Sequence, residues 1–236
     1  MTAARDDILA NIRRSLGVKG NERTRRQAVA ERLDRAPKGV IPARGQVSGE
    51  ALIELFRREA EAALATVHMV ETAAEVPQAV AEYLRNHNLP ATVRMGEDPR
   101  LAALPWGETA LEVAHGPSEG GDLNGVSHAF GGVAETGTVV MVSGPENPST
   151  LNFLPDNHIV LVAAKDVAGD YETVLGKVRG TYGKSRMPRT VNFITGPSRS
   201  ADIEQTLLLG AHGPRRLHVI VVKAEAQNGL LSRHQP

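Results

Sequence analysis

The 236-residue sequence predicts an α/β fold in which helices cover both faces of a mainly parallel sheet, three layers in all. Two observations carry this reading. Short apolar runs such as "HIVLVAA" and "LHVIVV" lack the polar alternation of a half-exposed strand, so they suit strands buried on both faces. Segments with helical apolar spacing lie between such runs, as parallel crossovers require. Aromatic residues make up 3% of the chain against 41% hydrophobic, so the core must be built mainly from Val, Leu, Ile and Ala.

Taken in order, Ile8, Ile12 and Leu16 form one stripe with Leu9 beside it, and Gly17 is a natural stop, which predicts an N-terminal amphipathic helix. Residues 19–49 are basic, polar and broken by "APKGVIPARG", the composition of an extended arm or linker. Residues 1–47 are thus expected to be a helix plus arm, and 48–236 one α/β domain. Leu52, Phe56, Ala60, Ala63 and Leu64 then recur at helical spacing ahead of the strand "ATVHMV". Thr72 and Glu75 make a capping-box pair opening a second helix through Val76, Val80, Tyr83 and Leu84. "ATVRM" and "ALEVA" read as short strands, and "HGPSEGGDLNG" as a longer connection. The second half alternates "GTVVMVSG", "STLNFLP", "HIVLVAA", "DYETVLGKV", "TVNFITG", a helix over "SADIEQTLLL" and the strand "LHVIVV"; the tail "KAEAQNGLLSRHQP" adds little.

Composition removes several functions. Lys plus Arg and Asp plus Glu both total 27, so the chain lacks the long-range field that nonspecific nucleic-acid or anionic-membrane binding uses. Without cysteine it has no disulfide, thiolate metal site, cysteine nucleophile or self-ligated iron–sulfur cluster. No apolar stretch approaches the ~20 residues of a membrane span, and the N-terminus lacks a secretory signal's apolar core, so the expected location is cytoplasmic. His128, His158 and His218 show no ligand pair at metal spacing, and no metal is assigned. No phosphate-loop, dinucleotide or nucleophile-elbow pattern is present.

Two polar clusters border predicted strands, where open α/β sheets place ligands. In "GGVAETGTVV", Glu135 stands among small residues with Thr136, Gly137 and Thr138. A carboxylate there can act as nucleophile or base, or can pair with an arginine to hold the turn. In "GPSRSADIEQTLLLGAHGP", Gly196, Ser198, Arg199 and Ser200 could hold an anion, with His212 as donor or base. Against this, Asp202 and Glu204 would repel an anion at the start of the predicted helix. The alternative is a Ser200-capped helix with Arg199 and Asp202 paired locally.

The stretches "AETGTVV", "LPDNHIVLV" and "GPSRSADIEQTLLLGAHGPRRLHVIVV" together resemble the lactate-utilisation domain family, in its protein C branch, from about Ser48 to Val222. The resemblance implies a fold related to ribose-5-phosphate isomerase, glucosamine-phosphate deaminase and coenzyme A transferase. It further implies a part in cytoplasmic L-lactate oxidation to pyruvate beside two iron–sulfur partner proteins, of A and B type, which carry the clusters, while this chain binds no cofactor. Two other functions follow from the fold relatives and from the turns. One is coenzyme A transferase-like chemistry with Glu135 attacking an acyl thioester; the chain lacks the paired-domain layout of those enzymes and a dedicated coenzyme A motif. The other is a small-carboxylate binding or regulatory module using Arg199.

Overall fold

The computed structural model describes residues 2–183, 186–201 and 207–224. The chain divides into two compact units, Met1–Val40 and Ile41–Pro236. The first contains helices α1 (Thr2–Ser15) and α2 (Arg23–Arg35). α1 is the expected N-terminal helix, whereas α2 corrects the reading of residues 19–49 as an extended arm. None of its residues is buried, but "RTRRQAVAERLDR" is rich in good helix formers, and Gln27 donates to Glu31 one turn on at 3.0 Å. Its stability comes from propensity, so a search for an apolar face misses it.

In the second unit α3 (Glu50–Ala62) leads into β1 (Thr66–Thr72). The Thr72–Glu75 capping box is formed, with Glu75 Oε1 accepting from the Thr72 amide at 3.0 Å, and α4 (Val76–Asn86) follows. Next come β2 (Thr92–Met95), the single turn α5 (Pro99–Ala102), β3 (Glu112–His115), β4 (Asn124–His128), β5 (Gly131–Val133) and β6 (Thr138–Val142). Then come β7 (Asn157–Ala163), β8 (Val167–Ala168), α6 (Tyr171–Tyr182) and β9 (Val191–Ile194). The described chain ends with β10 (Arg199–Ala201), β11 (Leu207–Leu209) and β12 (Arg216–Ala224).

Six of these strands form a wholly parallel sheet in the order β1-β12-β7-β4-β2-β3. The register sets Val219 beside Val160 and Val221 beside Val162, and these four pack with Leu55, Phe56 and Ala60 of α3. The alternate residues Ile159, Leu161, Ile220 and Val222 join Val76, Val80 and Leu84 of α4 on the other face. Each side chain fully buried in this way contributes about 1.5–3 kcal/mol, which explains why β7 and β12 read as continuous apolar runs.

β6 and β9 do not enter that sheet. They pair antiparallel in a second, four-stranded sheet, β8-β5-β6-β9. Val139 and Met141 of β6 join the core beneath α3, and Val140 packs with Val133 and with Val174 of α6. β6 is therefore also buried on both faces, and periodicity does not tell it from a strand of the main sheet.

The helix expected over "SADIEQTLLL" is corrected at its described ends, where β10 and β11 pair antiparallel with Arg199 opposite Leu209 and Ser200 opposite Leu208. Ser200 therefore lies in a strand and caps no helix. Gly210 follows a strand, not a helix, with φ 82°. Three successive leucines favour an extended segment over one helical face. Asp202 and Glu204 lie outside the described residues.

Two histidines sit inside the main sheet. His158 is fully buried with Nε2 3.0 Å from Ser127 Oγ, and His218 has Nδ1 2.7 Å from Thr66 Oγ1 and stacks on Tyr83 at 4.0 Å. Burial lowers both to about 3, with the charges of His68 and His87 adding to the effect at His218. In the unfolded chain an ordinary histidine titrates near 6.5, so below that pH the unfolded state takes up protons that the folded state refuses. The associated stability is fully present above about pH 6.5 and is lost progressively as pH falls toward 3. The urea midpoint should accordingly decline between pH 7 and 5, above the range where carboxylates protonate. The paired substitutions His158→Gln and His218→Asn should flatten that decline.

Candidate functional site

Glu135 lies in a single 3-10 turn, Ala134–Thr136, between β5 and β6. The turn docks on the last turns of α3: Gly137 has φ 62°, and a Cβ there would collide with the Ala60 backbone. The Glu135 amide donates to the Gly169 carbonyl at 3.1 Å, and the residue is only 3% exposed. Its Oε2 stands 3.8 Å from Nε of the exposed Arg44, but has no hydrogen-bond partner among the described residues. Thr136 and Thr138 join a hydroxyl network. Their Oγ1 atoms lie 2.7 Å apart and 2.9 and 3.0 Å from the Tyr171 hydroxyl, and Thr138 reaches Thr195 Oγ1 at 2.6 Å. With 3% of its surface exposed, Glu135 offers little access to an incoming thioester.

The second cluster begins beside the first, because Thr195 bonds Thr138, and the next residue, Gly196, has φ 70° with no room for a Cβ against the Ala63 carbonyl. Beyond that point the two separate. The Ser198 amide is taken by the Pro214 carbonyl at 2.9 Å, and Ser198 Oγ accepts from the His212 amide at 3.3 Å. Arg199 is exposed on β10. No hydrogen bond or ion pair among the described residues joins Glu135 to Ser198, Arg199, Ser200 or His212. Asp202, read with them from the sequence, lies outside the described residues.

A third arrangement was missed. The chain leaves β2 toward β3 on one side and leaves β4 toward β7 on the other, so the carboxyl ends of β2 and β4 flank a topological switch point, where open α/β sheets bind ligands. Asp98 stands just past β2, and His128 ends β4. Asp98 is 1% exposed and accepts from the Arg100 amide at 2.9 Å, from Nε at 2.9 and 3.2 Å and from Nη2 at 2.6 Å. Burial raises the Asp98 carboxyl, but the hydrogen bonds and charge of Arg100, with the charge of His128, outweigh it and hold the group below its ordinary value. His128 Nδ1 lies 2.8 Å from the Ala129 carbonyl, which can only accept and so places a ring proton on Nδ1. A cleft of about 530 Å³ opens here, lined by Glu97, Asp98, Arg100, His128, Glu146 and Tyr182 among others. The sequence signal was "MGEDPR", an aspartate and proline in cap positions directly after a strand.

Comparison with known proteins places this geometry in a family. The LUD domain family matches residues 124–222, from β4 to β12. A protein named lactate utilization protein C from Geobacillus thermodenitrificans is 30% identical over 92% of this chain and 95% of its own length. The chain belongs to the lactate utilization protein C family. A relative of the same name from Halalkalibacterium halodurans is 27% identical over 94% of the chain and 99% of its own length. In fold, the chain is similar to the crystal structure of a DUF162 family protein from Deinococcus radiodurans, with a TM-score of 0.56, 23% identity, and coverage of 75% of this chain and 99% of that one. The mixed α/β architecture of the larger part of this chain is thus shared with that structure.

The Glu135 geometry generates a stability test. A buried carboxylate with one distant ionic partner gains little from its charge, and a neutral isostere relieves the burial of that charge. Glu135→Gln should fold with a stability unchanged or raised by up to about 2 kcal/mol in urea unfolding. A clear loss would mean that the ionised carboxylate anchors the turn.

Proposed function

We propose that this chain is an accessory subunit of a cytoplasmic system that oxidises L-lactate to pyruvate, working with two iron–sulfur proteins of A and B type that carry the redox clusters. The observation that carries the proposal is the match to a protein named for lactate utilisation along 95% of that protein's length. The absence of cysteine supports an accessory part, since the chain offers no thiolate to hold a cluster and electrons must travel on other subunits. The described residues also contain no group of three or more His, Cys, Asp or Glu side chains placed to share a metal ion. No described helix is long and apolar enough to cross a membrane.

The division of labour is testable in cells and in solution. Deleting the gene should abolish growth on L-lactate while sparing growth on pyruvate, and unchanged growth on lactate would defeat the proposal. With both partners purified, lactate-dependent reduction of an electron acceptor should require this chain. Full activity from the partners alone would remove the subunit role.

A further inference from the structure

Beside the switch-point cleft, and sharing Arg100 and His128 with it, lies a second and smaller cavity of about 60 Å³ at the carboxyl ends of β7 and β12. Arg100, Lys165 and Lys223 line it with the His128 ring beside them, and no acidic residue is among the described residues that line it. Its remaining surface is alkyl, with Leu104, Leu161 and Val222 prominent. We infer that this cavity binds a small organic carboxylate, its anionic end on the Arg100 guanidinium and its hydrocarbon part against the alkyl floor.

Three features converge on that class. The first is preorganisation. Asp98 engages Nε and Nη2 of Arg100 together with the Arg100 amide, which fixes the guanidinium plane, while Nη1 has no hydrogen-bond partner among the described residues. Asp98 thereby acts as a positioning residue for Arg100. The second is charge. Lys223 is paired with Glu71 at 2.6 Å and Arg100 with Asp98, and neither of those acids lines the cavity, so only the basic member of each pair faces it. The third is size. A water occupies about 10–15 Å³ of such a volume, so the cavity takes roughly half a dozen non-hydrogen atoms. That suits a carboxylate of about three carbons and is far too small for a nucleotide or an acyl-coenzyme A. Inorganic phosphate would match the charge but leave the alkyl floor without a partner.

The site stands on this geometry, and only the choice of L-lactate and pyruvate as probes rests on the proposed function. The full chain would be titrated calorimetrically with L-lactate, pyruvate, inorganic phosphate and uncharged lactamide. Binding of either carboxylate without binding of lactamide is expected. Arg100→Gln should weaken that binding at least tenfold. Ala163→Leu, which fills the cavity and keeps every charge, should weaken it similarly while retaining the native circular dichroism; it carries the test if the Arg100 variant does not fold. The inference is overturned by no carboxylate binding at tens of millimolar, by lactamide or phosphate binding as tightly as the carboxylates, or by full affinity in the folded variants. A strain that needs the gene for growth on lactate, with a chain that binds no carboxylate, would end this inference and leave the proposed function standing. Carboxylate binding by a chain dispensable for that growth would do the reverse.

Discussion

The burial of β7 and β12 on both faces is the constraint from which the rest of the larger unit follows. A parallel pair with Val160, Val162, Val219 and Val221 on one side and Ile159, Leu161, Ile220 and Val222 on the other requires a cover on each face. α3 and α4 supply those covers. With both faces closed, polar chemistry has room only at the strand ends and in the turns. The Asp98–Arg100 pair, His128, Lys165 and Lys223 gather at the carboxyl ends of the main sheet, and the Glu135 turn lies over the end of α3.

Two carboxylates in this unit show how one residue type serves different ends. Asp98 and Glu135 are almost equally buried, at 1% and 3% exposure. Asp98 spends its buried charge on one arginine through four short contacts, and thereby orients a cation beside open space. Among the described residues Glu135 has one ionic partner, at 3.8 Å, on a side chain that is itself mostly in solvent. By geometry the first fixes an arginine at the edge of a cleft, and the second is a group enclosed beneath its own turn.

The main sheet was legible in the sequence because its physical signal is local. Unbroken apolar runs and the Thr72–Glu75 box each act within a few residues, and the structure keeps them. Three features were not legible, for three separate reasons. α2 has helix-forming residues but no apolar stripe, so a reading that equates helix with amphipathicity passes over it. β6 carries the pattern of a main-sheet strand, because a second sheet buries it just as fully. The segment after Arg199 was read as a helix, although its fate rests on long-range contacts such as Ser198 with Pro214 and Gly210, which no window of sequence displays. At the candidate sites, Glu135 and Arg199 drew attention through glycine-rich surroundings. Arg100 did not, because its significance comes from where β2 and β4 sit in the sheet order.

The sheet order also governs how the chain is made. β12 is the last strand described and is flanked by β1 and β7, so until it is inserted both neighbours present unpaired edges. Thr66 and His218, adjacent in the finished sheet, leave the ribosome far apart in time. At typical synthesis rates that interval is roughly ten to thirty seconds. A nascent chain must therefore keep the β1 edge unpaired from residue 72 until β12 arrives and the β7 edge for the shorter stretch after residue 163, and a copy truncated before residue 216 would leave both edges without that partner. For this protein, the exposure of the β1 and β7 edges is a hazard of translation that closes when β12 is inserted.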